Sequence, residues 1–144
     1  MEKDPKFAHL TDLQYRVTQK NETEPPFDNA YNKNFEDGVY VDVVDHTPLF
    51  LSTAKYDSGS GWPAFWKPID DNLIDEVLDF SHEITRIEVR SKKSNSHLGH
   101  VFVDGPVKHG GKRYCINSAA LKFIPKSELE KNNLGYLLPF FETK

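Results

Sequence analysis

The chain has 144 residues, a net charge of −4 and 12% aromatic residues, enough apolar bulk for a single domain over residues 1–144 and too much for global disorder. Acidic and basic residues are interspersed, so no basic stripe marks a nucleic-acid surface, and no run nears the ~18 apolar residues of a membrane span. With no apolar leader in Met1-Glu2-Lys3-Asp4-Pro5 and no heptad or apolar edge, the expectation is a soluble, cytoplasmic monomer.

Near the start, Thr11-Asp12-Leu13-Gln14 has capping-box spacing, which predicts a short helix. Glu24-Pro25-Pro26-Phe27-Asp28 reads as an anchored turn, because the prolines fix φ and remove donors. From Gly38 the period becomes two: residues 39–44 and 48–52 flank Asp45-His46-Thr47 and predict a hairpin. Residues 70–78 fit a short amphipathic helix. Residues 84–90 predict a half-exposed strand, with Thr85, Ile87 and Val89 on one face and Arg86, Glu88 and Arg90 on the other. Further strands are expected over 97–103, 112–117 and 120–124, the first two separated by Asp104-Gly105-Pro106 and Gly110-Gly111. Ser127-Glu128-Leu129-Glu130 has the spacing to open a second helix that stops near Gly135. Strands dominate without βαβ alternation, so the expected fold class is mainly β: antiparallel sheets packed on each other.

One cysteine, Cys115, excludes an intramolecular disulfide and any multi-cysteine metal cage. On an extended 112–117 strand, Arg113, Cys115 and Asn117 share one face while Tyr114 and Ile116 take the other. A cysteine serving only as core filling has no reason to keep Arg and Asn as face-mates, and a guanidinium favours the thiolate, the nucleophilic form. In Ser96-His97-Leu98-Gly99-His100-Val101-Phe102 the two histidines would face opposite ways on a regular strand, but Gly99 permits a bulge that brings them together. Together they could supply protons near neutral pH; apart they are two unrelated polar side chains. As a zinc motif the pair is incomplete. In Asp57-Ser58-Gly59-Ser60-Gly61-Trp62-Pro63-Ala64-Phe65-Trp66, the glycines and proline describe a sharp loop. Trp62 and Phe65 could wall an apolar pocket for a group such as S-methyl, or simply be core.

These segments resemble the peptide methionine-R-sulfoxide reductase family. The matching words are Thr23-Glu24-Pro25-Pro26-Phe27, Gly38-Val39-Tyr40-Val41-Asp42, Gly61-Trp62-Pro63-Ala64-Phe65, Glu88-Val89-Arg90-Ser91, Ser96-His97-Leu98-Gly99-His100-Val101-Phe102, Asp104-Gly105-Pro106 and Gly111-Lys112-Arg113-Tyr114-Cys115-Ile116-Asn117-Ser118-Ala119, in family order. The resemblance implies two antiparallel sheets with a few short peripheral helices. It also implies thiol-dependent reduction of methionine-R-sulfoxide, preferably in peptides, with no cofactor. Cys115 takes the nucleophile's place, Trp62 that of the aromatic holding the substrate methyl. His97, His100, Asp104, Arg113 and Asn117 take the places of the polar shell.

Two departures matter. Where many members carry a resolving cysteine, this chain has Ser60, so a sulfenic acid on Cys115 would need an external thiol, thioredoxin or a small molecule. Where another branch binds zinc through two Cys-x-x-Cys pairs, this chain has Asp42 and Asp45, then Ser91 and Ser94, a poor zinc set, so no metal is expected. The rival readings are a non-catalytic β module that binds methionine peptides through Trp62, and a different cysteine enzyme such as a thiol peroxidase.

Overall fold

The computed structural model describes residues 7–80 and 85–141; the first five residues and Ile84, expected to open a strand, lie outside that range. Helix α1 (Asp12–Lys20) begins as its sequence predicts. The Gln14 amide donates to the Thr11 hydroxyl at 3.1 Å and the Thr11 amide to the Gln14 side chain at 2.8 Å, a complete capping box. It buries Val17 and Thr18 and ends at Asn21, whose φ of 59° places it in the left-handed region.

Strands β1 (Gly38–Asp42) and β2 (Pro48–Leu51) form the expected hairpin. With β9 (Leu121–Pro125) they make a three-stranded antiparallel sheet in the order β2-β1-β9. Strands β3 (Lys55–Tyr56), β4 (Ala64–Phe65), β5 (Ile74–Asp79), β6 (Arg86–Ser91), β7 (His97–Phe102) and β8 (Arg113–Ile116) form the second, in the order β3-β4-β8-β7-β6-β5. Every pairing in both sheets is antiparallel, as the strand pattern implied. Tyr40, Leu49 and Phe50 of the small sheet pack with Phe65, Val89, Leu98, Tyr114 and Ile116 of the large one, with Phe50 stacked on Phe65 at 4.5 Å between ring centres. Val39 and Val41, one step out of phase with Tyr40, face a second cluster with Leu129, Leu134 and Leu137. Strand β1 is therefore buried on both faces.

Two expected helices are corrected. Residues 70–78 form a single 3-10 turn, Asp71–Leu73, capped by the Asp70 carboxylate, and then strand β5. A continuous ladder from Ile74↔Ser91 to Asp79↔Arg86 wins over the local helical pattern, as tertiary pairing commonly does. The segment opening at Ser127 has no side-chain cap and becomes the 3-10 turns Lys126–Glu128, Glu130–Asn132 and Gly135–Phe141. Asn133 at φ 63° breaks the run, and Pro139 lacks the amide an α-helix would need.

The turns after β1 and β6 are built alike. In each, the amide four residues on (His46, Asn95) returns to the carbonyl of the last strand residue (Asp42, Ser91), at 2.7 and 2.8 Å, and that fourth residue has positive φ. Asp42, wholly buried, joins them: its carboxylate accepts from the Val44 amide at 2.7 Å and from the Ser94 hydroxyl at 2.6 Å. Burial pushes the Asp42 carboxyl above its usual range, against the pull of these donors. Among the described residues no helix is long and apolar enough to cross a membrane.

Candidate active site

Strand β8 places Cys115 directly opposite His100 on β7 and Ala64 on β4. The alternation read from the sequence sets its faces: Tyr114 and Ile116 sink into the core, while Arg113 and Cys115 turn toward a cleft of about 230 Å³. Thr23, Ser60, Trp62, Arg86, Gly99, His100, Phe102 and Asn117 complete the lining.

Gly99 explains how two histidines three residues apart come together. Val89 pairs with Gly99 but the next residue, Arg90, pairs with His97, so Leu98 is an extra residue on β7. That bulge flips the phase once, and the His97 and His100 rings meet edge to face at 5.6 Å. A Cβ on Gly99 would collide with the Cys115 carbonyl oxygen, so only glycine lets the two strands approach here. His97 is 2% exposed; its Nδ1–H donates to Glu88 Oε2 at 2.7 Å. His100 lines the cleft, and its Nε2–H donates to Asp79 Oδ2 at 2.8 Å. Burial pushes both imidazoles down, and the two carboxylates pull them back up.

Arg113 lies over the Phe102 ring at 4.3 Å and forks onto Asp104, donating from Nε at 2.8 Å and from Nη2 at 3.2 Å. The salt bridge holds the Asp104 carboxyl below its usual range. The guanidinium also acts on Cys115, but does not prevail. Burial pushes the thiol up, while the Ser60 hydroxyl and Arg113 pull it back down. Ser60 Oγ lies 3.7 Å from Cys115 Sγ.

Trp62 and Phe65 separate. Trp62 lines the cleft, while Phe65 is wholly buried in the core against Tyr40 and Phe50 and does not wall the pocket. Asn117 lines the cleft, yet both ends of its amide are taken: Oδ1 accepts from the Glu24 amide at 3.1 Å and Nδ2 donates to the Leu98 carbonyl at 3.1 Å.

Three supporting residues escaped the sequence reading. Glu24, 2% exposed, receives the Ser118 amide and, at 2.8 Å, the Ala119 amide on its carboxylate, while its carbonyl accepts the Trp62 indole N–H at 3.0 Å. The prolines after it gave the turn, but not what the turn anchors. Glu88 and Asp79 stand behind the two histidines. The alternation over residues 85–90 did separate Glu88 onto a polar face, and the signal available was that such a face can meet ring nitrogens instead of water.

Residues 10–125 match the SelR domain. The chain is also 53% identical over 133 residues to the peptide methionine sulfoxide reductase MsrB of Staphylococcus haemolyticus (strain JCSC1435), an alignment covering 92% of this chain and 94% of that protein. With its single thiol opposite an imidazole on the fold these matches span, the chain belongs to the SelR domain family.

Proposed function

We propose that the chain is a peptide methionine-R-sulfoxide reductase in which Cys115 is the nucleophile. The observation that carries this reading is the placement of Cys115 in one cleft with an aromatic wall, Trp62, and an imidazole, His100. The substrate methyl lies against Trp62, where contact with an aromatic face is favourable, and the sulfoxide oxygen lies toward the histidine. Those two contacts leave one hand of the sulfur open to attack. Cys115 loses its proton, its sulfur attacks the sulfoxide sulfur, and the oxygen is protonated and passes to Cys115, releasing methionine and leaving a sulfenic acid. Arg113, held by Asp104, steadies the developing thiolate. Asn117 and the buried His97 keep the strand ends and the second ring in place.

One cysteine cannot close a disulfide within the chain. An external thiol, thioredoxin or a small molecule, condenses with the sulfenic acid and expels water. A second thiol then frees Cys115 as the disulfide of the donor forms. This cycle suits the reducing conditions of the cytoplasm, and the chain works as a monomeric single domain. We place it in the zinc-less branch of the family, since Asp42 and Ser94 join the two turns by a hydrogen bond at the positions where relatives use thiolates.

The test is a stereospecific assay. One equivalent of R-sulfoxide peptide should consume the one thiol and leave a dimedone-reactive product, with the S epimer untouched. Binding without turnover would favour a peptide-binding module, and peroxide consumed in preference to sulfoxide would favour a peroxidase. Ser60→Cys extends the test. Its sulfur would stand beside Cys115, and after one equivalent of substrate both thiols should disappear into an intramolecular disulfide. A sulfenic acid that persists in Ser60→Cys would show that the 57–61 loop cannot deliver a resolving group.

A further inference from the structure

We propose that Asp79 is a positioning residue that fixes the His100 ring so that it takes the proton of the Cys115 thiol and hands it to the sulfoxide oxygen. This rests on the reductase reading above. His100 and Cys115 are direct partners across β7 and β8, which brings their Cβ atoms to about 5 Å. Both line the cleft.

The bond to Asp79 sets the tautomer. A carboxylate only accepts, so the hydrogen sits on Nε2, and Nδ1 keeps a lone pair free to receive a proton. Once protonated, the ring is an imidazolium held against the Asp79 charge. His97 is tied the other way round, through Nδ1 to Glu88, and it does not line the cleft. Of the two rings, His100 alone meets both the thiol's strand position and the substrate's space.

Asp79 is held by Arg86 as well as by His100, with Arg86 Nη2 3.7 Å from Asp79 Oδ2. It ends the edge strand β5, opposite Arg86, and reaches across β6 to a ring on β7. Among the described residues, the titratable and charged groups that face His100 are Asp79 from β5, Arg86 and Glu88 from β6, His97 on its own strand and Cys115 from β8, with Arg113 lining the same cleft. Burial lowers its affinity for a proton, the Asp79 bond restores part of it, Arg86 lowers it and Glu88 raises it.

The proton accounting closes without solvent. A thiol and a sulfoxide give a sulfenic acid and a thioether. The substrate S–O bond breaks and an Sγ–O bond forms; Cys115 sulfur loses two electrons and the substrate sulfur gains them. The proton lost by the thiol ends on the transferred oxygen, with His100 as its carrier.

The experiment is a pH profile of R-sulfoxide peptide reduction, with the His100 ring titration followed by NMR. His100 that is already protonated cannot accept from the thiol, so its titration sets the acid limb of kcat/KM. Asp79→Asn keeps the shape and removes the charge, which lowers the ring's proton affinity. The acid limb and the NMR titration should both move down by about one pH unit, and kcat should fall about 10- to 100-fold with KM little changed. Asp79→Glu should recover part of each. An acid limb and ring titration that stay in place in Asp79→Asn overturn the proposal even with a lower plateau, since a structural defect alone lowers the plateau. A wild-type chain inert toward the R-sulfoxide overturns the reductase reading instead, and the NMR titration still decides the Asp79–His100 coupling.

Discussion

Alanine in place of Cys115 is expected to leave R-sulfoxide peptides unreduced with every thiol donor, a fall in kcat/KM of about 10⁴-fold or more. No second cysteine exists to take over, and no hydroxyl in the cleft has a comparable nucleophile's sulfur chemistry. The loss should be chemical and not structural. Cys115 is only partly buried, on the cleft face of β8, while the core-facing Tyr114 and Ile116 are untouched. Thermal denaturation of Cys115→Ala should therefore stay close to wild type, and the variant should still bind sulfoxide peptide against Trp62. Turnover retained by Cys115→Ala would rule out the nucleophile assignment, whatever the product.

Glu24→Ala is expected to be the most damaging substitution for stability near the site, by about 3 kcal/mol. Its carboxylate is the acceptor for the Ser118 and Ala119 amides, in the turn that carries the chain from β8 into β9. Removing it leaves two donors buried without partners at a place where the backbone also holds Asn117 and Trp62. For a domain of this size that corresponds to a drop in Tm of about 10 °C, read by circular dichroism. The pH dependence has a definite sign. Burial raises the Glu24 carboxyl above its ordinary value, so the stability it contributes is full below the unfolded-state pKa and declines as pH rises through the folded one. The gap between wild type and Glu24→Ala should narrow from pH 4 toward pH 7. A Tm within two or so degrees of wild type (about half a kcal/mol) would mean that the amides find other acceptors.

The site was legible where its residues are neighbours in sequence. Strand periodicity gave Arg113 and Cys115 one face and Tyr114 and Ile116 the other, and that is how β8 stands. The Gly99 bulge was legible because glycine in a strand has few other uses, and the histidines meet through it. Phe65 was not separable from Trp62 by composition. Both are large aromatics beside one loop, and only the pairing of β4 with β8 sends Phe65 into the core. The strand β5 was missed for a related reason. Its exposed edge carries no alternation of burial, so nothing in its own pattern marks it as the partner of β6.

The sequence by itself determined the fold class, and it singled out Cys115 as the one candidate nucleophile. A lone cysteine, strand periodicity and ordered motifs are properties of the chain read in line. What only the tertiary structure decided is which groups surround that thiol. Burial pushes the Cys115 thiol up and the nearby guanidinium pulls it down, a contest between desolvation and charge that depends on how deeply β8 sits. The carboxylates behind the histidines arrive from other strands, Asp79 from 21 residues before His100 and Glu88 from 9 residues before His97. Pairing at such distances is set by sheet order and register, which no window of sequence contains. The solitary Cys115 is therefore a sequence fact, while the company of His100, Asp79 and Glu88 exists only because β5, β6, β7 and β8 lie side by side.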